Sequence, residues 1–219
     1  MAEMITTYEL RDKRIPLPMD RAEFYDEQIK TFQASGQPTR ACEVVSLLLF
    51  TVDGEMVLQK RAHHKNHNPG LIDKAIGGHV QYGDSPFYTL MVETVQELRV
   101  PSIVLHTPEE FRKTYKLLEG YLGQIAIVKF LDEAFLELPK IFKEGGDTIT
   151  IANKVQLFIG VYGGSTKPVD KEASGVLYYD LKTLRAEIEA SPAAFTADLK
   201  LLLTTYDREI QDFLTEIKG

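Results

Sequence analysis

Three side chains of this 219-residue chain stand at the spacing that metal-dependent phosphate chemistry needs. Glu93, Gln96 and Glu97 fall at i, i+3 and i+4, which places them on one face if the segment is helical. Two carboxylates and an amide form an all-oxygen donor set. Such a set suits Mg2+ or Mn2+, and those ions suit phosphate substrates. Just upstream, Gly77-Gly78 reads as a glycine turn that would let a ligand approach the backbone closely. Asp84 adds a carboxylate ahead of the helix. Taken alone, Glu-x-x-Gln-Glu reads first as a solvated helix face, so the surrounding elements must decide.

Other reactive side chains are sparse. Cys42 is the only cysteine, which excludes an intrachain disulfide framework and a zinc site built from several thiolates. It opens an apolar run and is expected to be a buried, inert thiol. His63, His64, His67 and His79 could suggest a Zn2+ or Ni2+ site. Their spacing fits no strong metal motif, so a polar loop is the preferred reading.

The elements that must position Glu93 and Glu97 can be read from turn and cap signals. Ser85 is a good N-cap with Pro86 at the first helical position, and the helix should run to about Leu98. A helix is expected over residues 20–34, with Asp20 and Glu23 in a capping-box-like arrangement and Gly36 and Pro38 ending it. Residues 43–52 form an apolar strand, Asp53-Gly54 a hairpin turn, and residues 55–61 the return strand. Residues 62–71 are a polar loop, followed by a short strand near Ala75. Thr107 and Pro108 start another helix ending near Gly120. Residues 124–131, 148–161 and 175–179 are further strands. After Thr196, Leu199, Leu202, Leu203, Tyr206, Ile210, Phe213, Leu214 and Ile217 fall on one stripe. They predict one amphipathic helix packed on the domain, a helix-mediated dimer being the lesser alternative. Strands and helices in this order imply a mixed sheet covered on both sides.

Composition bounds the rest. Apolar residues make up 44% and charged residues 26%, ordinary for a globular protein with one core. A formal charge of -7 argues against a large duplex nucleic-acid footprint, while leaving room for a small anionic ligand held by a few local cations. No stretch is apolar enough for a membrane span. The first residues, MAEMITTYEL, lack the basic start and apolar core of a signal peptide, so a cytoplasmic location is the expectation.

The segment GGHVQYGDSPFYTLMVETVQELRV resembles the signature of the Nudix hydrolases: Gly, five residues, Glu, seven residues, then Arg-Glu-aliphatic-any-Glu-Glu-any-Gly-aliphatic. Gly78, Glu93, Glu97 and Val100 match it in place. Asp84 stands for the first Glu, Val92 for the Arg, Thr94 for the aliphatic residue, Gln96 for a metal-binding Glu and Arg99 for the closing Gly. The flank EVVSLLLFTVDGEMVLQKRA resembles the family's first sheet hairpin, and KNHNPGLIDKAIGGHVQYGDS resembles the lead into the signature in the isopentenyl-diphosphate isomerase-like branch, including Pro69-Gly70 and Gly78-His79. KVQLFIGVYGGSTKPVDKEASGVLYYDLKTL resembles the later family pattern.

The resemblance spans residues 40–205. It implies a Nudix-type α/β/α sandwich of the α/β class, with a mixed α+β sheet and an extended C-terminal helix. The expected organisation is one domain over 1–219, with an N-terminal helical extension over 1–39, a core over 40–205 and the amphipathic helix over 196–219. Residues 111–147 are long for the family.

By that resemblance, Gly78, Glu93, Gln96 and Glu97 are the metal ligands, and Glu93, Glu97 and Glu172 the catalytic groups. Lys60, Arg61, Lys65, His79 and Asp84 are candidate substrate contacts. The implied activity is Mg2+- or Mn2+-dependent hydrolysis of a diphosphate linkage in a nucleoside diphosphate derivative, a small-molecule substrate with no duplex nucleic acid or membrane partner. A homodimer is allowed. Gln96 lowers the site's negative charge, and Val92 removes an orienting Arg. The alternative is therefore a catalytically impaired nucleotide-binding module. Isomerase activity is disfavoured. True isomerases of this branch carry a catalytic Cys where Gly77 stands here, and a metal-binding His where Thr39-Arg40-Ala41 stands.

Overall fold

The computed structural model describes residues 3–142, 148–167 and 173–218. The chain begins with an antiparallel hairpin, β1 (Met4–Glu9) and β2 (Asp12–Asp20). Sequence patterning leaves this hairpin unread. Among the described residues β2 pairs with β1 alone and is mostly exposed, so Pro16 and Pro18 can sit in it without breaking an interior ladder. Helix α1 (Arg21–Ser35) follows, capped by Asp20, whose carboxylate accepts from the Ala22 and Glu23 amides. Gly36, at φ 73°, closes it. The buried Gln28 of α1 then accepts from the Thr39 and Arg40 amides at 3.0 and 3.1 Å, feeding the chain into the sheet.

The central strand is β3 (Arg40–Phe50). It turns at Gly54, φ 85°, into β4 (Met56–Arg61), as the Asp53-Gly54 signal predicts. Next come β5 (Ile72–Lys74) and β6 (Ile76–His79), then helix α2 (Pro86–Leu98). β7 (Ser102–Leu105) and helix α3 (Pro108–Leu118) precede the long pair β8 (Ala126–Ile141) and β9 (Thr148–Val161). β10 (Ala173–Tyr179), α4 (Leu181–Ala190), α5 (Ala197–Thr205) and α6 (Asp207–Lys218) complete the described chain. The strands form one ten-stranded mixed sheet along β10-β4-β3-β9-β8-β7, with β3 and β9 parallel from Ala41 to Phe50.

Two expectations change. Gly77-Gly78 is not a turn. Both residues lie in β6, paired with Ser46 and Val45 of β3. Glycine has little strand propensity of its own, and the ladder with β3 overrides that preference. The single C-terminal helix over 196–219 is two helices, α5 and α6, parted at Tyr206, whose backbone leaves the helical region at φ -107°. The apolar stripe survives the break. Leu199, Leu202, Leu203, Tyr206, Ile210, Phe213 and Ile217 are all buried in the same core. At about 1.5–3 kcal/mol for each large apolar side chain, the stripe is committed to this chain's own interior.

The layers are α/β/α. On one face, α2 packs Leu90 and Leu98 onto Val45, Leu47, Leu49 and Phe158. On the other, α1 brings Phe24 to Cys42 and Ile151, while α3, α5 and α6 bring Phe111, Leu199 and Phe213 to Leu48 and Phe50. The long 111–147 stretch is accounted for in its described part. β8 runs on with β9 as far as Ile141 opposite Thr148, carrying Leu138, Lys140 and Phe142 toward α1. No described helix is long and apolar enough to cross a membrane.

Candidate active site

Helix α2 carries the two signature carboxylates. Ser85 Oγ accepts from the Tyr88 amide and Pro86 occupies the first turn, so the start of the helix is fixed where the sequence placed it. Its end is less ordinary. Arg99, at the position where the signature has Gly, adopts the left-handed φ 56°, ψ 32°. That conformation explains why a glycine fits there.

Glu93 lies directly over β6. A Cβ built on Gly78 would fall 2.7 Å from Glu93 Cγ and closer still to its carboxylate, so only glycine admits this packing. One turn on, Glu97 is buried, and its Oε2 accepts from Gln59 Nε2 at 2.7 Å. The same Gln59 nitrogen donates to the Ala75 carbonyl. Gln59 therefore ties Glu97 to the backbone between β5 and β6. Nothing in the signature points to Gln59. The only sequence cue is strand alternation, which sets it on the same side as Val57, a residue of the α2-side core.

This arrangement fits a hard divalent cation. Glu93 and Glu97 stand one turn apart on α2, both oxygen donors, with Glu93 against Gly78, and an amide donor holds Glu97 in the way outer-shell partners orient metal ligands. Among the described residues, no set of three or more His, Cys, Asp or Glu side chains is grouped to hold an ion. Gln96 is exposed on α2. Glu172 lies outside the described residues. Asp84 is exposed in the turn before α2, its amide donating to the Gln81 carbonyl.

The basic candidates lie at the end of β4 and in the loop after it. Lys60 is exposed. Arg61 is half-buried, reaching Asp73 Oδ2 at 3.4 Å and the His67 carbonyl at 3.1 Å. Lys65 is half-buried in the 62–71 loop. His79 follows Gly78 on β6, so its side chain points to the opposite face. There its Nε2 meets the Tyr25 hydroxyl of α1 at 2.9 Å. The His67 ring lies 5.4 Å from that of Tyr25, whereas His63 and His64 are exposed in the loop. Burial first, and then the charges of Arg21, Lys140, Lys65 and Arg61, hold the His79 imidazole well below its usual pKa. Burial likewise depresses His67, with Lys140 and Arg61 adding to it. Cys42, on the same side, is fully buried, and burial pushes its thiol up to about 11.

Asp73 joins the loop to the C-terminal helices. Burial pushes its carboxyl up, but Lys74, Arg61 and the Thr196 hydroxyl outweigh that and hold it at about 2. Lys74, buried beneath Gly77, pairs with both Asp73 and Asp198.

No family model matches the chain. Over 79 residues it is 37% identical to an isopentenyl-diphosphate Delta-isomerase of Streptomyces griseus, a stretch covering 36% of this chain and 39% of that protein. The match therefore spans about two fifths of the relative's length. A Jannaschia protein of the same name is 28% identical over 156 residues, covering 70% of this chain and 73% of that one. A crystal structure from Deinococcus radiodurans superposes with a TM-score of 0.60 at 16% identity, covering 93% of this chain and 98% of that one. The MutT protein of Methanosarcina mazei superposes at 0.51 and 16% identity, covering 77% and 94%. The chain has the Nudix fold. Within that fold, Glu93 and Glu97 lie on α2, and Gly78 is the strand glycine on which the first of them rests.

Proposed function

We propose that the chain is a divalent-metal-dependent hydrolase that cleaves a diphosphate linkage in a small nucleoside diphosphate derivative. The observation that carries this reading is the seating of Glu93 on Gly78 beside a Glu97 tethered by Gln59. A solvated helix face would not bury Glu97 or demand a glycine beneath Glu93. Mg2+ or Mn2+ bound there would activate the attacking water and neutralise charge as it develops on the phosphate oxygens. The chain's own contribution is orientation. Glu93 and Glu97 would hold the ion with the Gly78 carbonyl, and Gln59 would fix the inner carboxylate. In the reaction, water oxygen adds to phosphorus, the bridging P–O bond breaks, and the proton lost by water passes to solvent or to a nearby carboxylate. Arg61 and Lys65 are the basic residues proposed to meet the phosphates, and Glu172 is retained as a proposed third carboxylate.

The exposed Gln96 and the missing Arg at Val92 favour a second reading, a nucleotide-binding module without turnover. The isomerase names of the relatives are not carried over, because Gly77 stands where the catalytic Cys would be and Cys42 is fully buried. A panel of nucleoside diphosphate derivatives with Mg2+ or Mn2+ separates the readings. Turnover lost in Glu97→Gln supports the hydrolase. Calorimetric nucleotide binding without turnover supports the module. Conversion of isopentenyl diphosphate to its allylic isomer would overturn both.

A further inference from the structure

The apolar stripe of α5 and α6 is buried in this chain's own core, so it offers nothing to a second copy. Helix α2 differs. Its inner side packs Leu90 and Leu98 on the sheet, and its outer side is apolar as well. Tyr88, Met91 and Val95 are 52%, 40% and 50% exposed, and Val92 is partly exposed between them. These four fall at i, i+3, i+4 and i+7, one face of a helix. Among the described residues, the other five α-helices together expose one large apolar side chain, Leu117. Single exposed apolar residues are ordinary, whereas a contiguous stripe marks a contact surface.

The charges at the two ends of this face say what covers it. Asp84 lies just ahead of the Ser85 cap, and Arg99 closes the other end of the helix. Both are exposed, and neither makes an ion pair with a described residue. The stripe between them is uncharged. Such a face is complementary to itself when turned end over end. A two-fold axis between Met91 and Val92 sets Met91 of one copy against Val92 of the other, Tyr88 against Val95, and Asp84 against Arg99. Each contact then occurs twice, as in any isologous interface. A parallel pairing would instead bring like charges together, which costs free energy.

We propose that α2 is a homodimer contact, two copies pairing antiparallel through Tyr88, Met91, Val92 and Val95. Val92, which stands where the signature has Arg, is then at the centre, where an arginine from each copy would repel the other. A face about 20 Å long and 10 Å wide is well short of the ~800 Å2 that each partner buries in a stable complex, so the dimer is transient, with a Kd in the micromolar range. The proposal does not rest on turnover. The stripe faces away from the sheet, whereas Glu93 and Glu97 face Gly78 and Gln59.

Sedimentation velocity of the full chain, from low to high micromolar concentration, is the test. The wild type should shift from monomer to dimer. Val95→Glu puts like charges into the stripe at an already exposed position. It should raise Kd at least about tenfold and melt as the wild type does at monomeric concentration. Asp84→Arg and Arg99→Asp should each weaken the dimer several-fold. The two together exchange the ends and should return Kd to within about threefold of the wild type. The pairing is overturned by a wild type that stays monomeric throughout, by a dimer that Val95→Glu leaves intact, or by a double exchange no better than the single ones. A monomer that instead sediments with neutral phosphatidylcholine vesicles, and loses this in Val95→Glu, would make the stripe a lipid-facing surface and overturn the pairing too.

Discussion

Gly78 and His79 are neighbours on one short strand, yet they look onto sites of opposite character. On the α2 side the groups are carboxylates: Glu93 rests on Gly78, and Glu97 is held by Gln59. On the α1 side they are aromatic and neutral: the His79 ring meets the Tyr25 hydroxyl, and the ring of His67 lies beside Tyr25. Strand alternation alone enforces the separation, because successive side chains of β6 must point to opposite faces. One face gathers carboxylates and the other neutral rings. A linear motif that runs through both residues conceals this, since Gly-His is contiguous in sequence and divided in space.

Removing a carboxylate from α2 should have the largest effect. Glu97→Gln keeps the shape and the contact with Gln59 while deleting a charge. Metal-dependent turnover should fall by about 100-fold or more, the scale expected when a reacting geometry is lost. The melting temperature without metal should stay near the wild-type value. Unchanged turnover would mean that the α2 carboxylates are not the reacting site.

Gln59 tests the same face more gently. Gln59→Leu removes the donor to Glu97 and leaves the Ala75 carbonyl without that partner. Loss of such an outer-shell orienting group typically costs about 10–100-fold in metal affinity or activity. Mn2+ titration should show the weakening directly, and Gln59→Asn, too short to span both partners, should rescue little. An unchanged Mn2+ affinity would reduce Gln59 to a packing residue.

These two tests also show what the sequence could and could not supply. The helix carrying Glu93 and Glu97 was legible because Ser85 and Pro86 are local signals that act within one turn. The β3–β4 hairpin was legible from Asp53-Gly54 for the same reason. β6 was not, because its strand character comes from pairing with β3, some 30 residues upstream in the ladder of Val44–Leu47 with Ile76–His79. The β1–β2 hairpin was hidden by two prolines that an edge strand tolerates. The α1-side cluster was the least legible feature. Tyr25, His67, His79 and Lys140 share no periodicity, and only the fold brings them together. Gln59 sits between these cases: alternation gives its face, but not its partner.

The α1 side can be probed by pH. Its two imidazoles are depressed in the folded chain, chiefly by burial. Above pH of about 6.5 they are neutral in both folded and unfolded states and contribute no pH dependence. Below that value the unfolded imidazoles take up protons that the folded ones refuse, so stability falls as pH drops. The slope is up to about 1.4 kcal/mol per pH unit for each histidine. Asp73, held at about 2, loses its contribution only as pH falls below the normal carboxylate range, so it does not blur the window near pH 5.5. Urea unfolding at pH 7 and 5.5 should show the loss in the wild type and a shallower loss in His67→Phe. Equal slopes in both chains would mean that the His67 imidazole is free to protonate in the folded chain.

The smallest effect belongs to the end of α2. Arg99 is in the left-handed region at φ 56°, is exposed, and makes no ion pair with any described residue. A Cβ in that conformation costs about 1–2 kcal/mol. Glycine removes the cost but adds freedom to the unfolded chain, which returns part of it. Arg99→Gly should therefore stabilise the chain by about 0.5–1 kcal/mol, read as a higher urea midpoint with an unchanged slope. Its effect on turnover bears on the comparison. Glu97 is fixed by Gln59 from β4 and not by the helix end, so relaxing Arg99 should leave metal-dependent activity within a factor of about two. A large gain in activity would instead show that strain at Arg99 displaces Glu97, and that the signature's glycine serves the carboxylates as well as the cap.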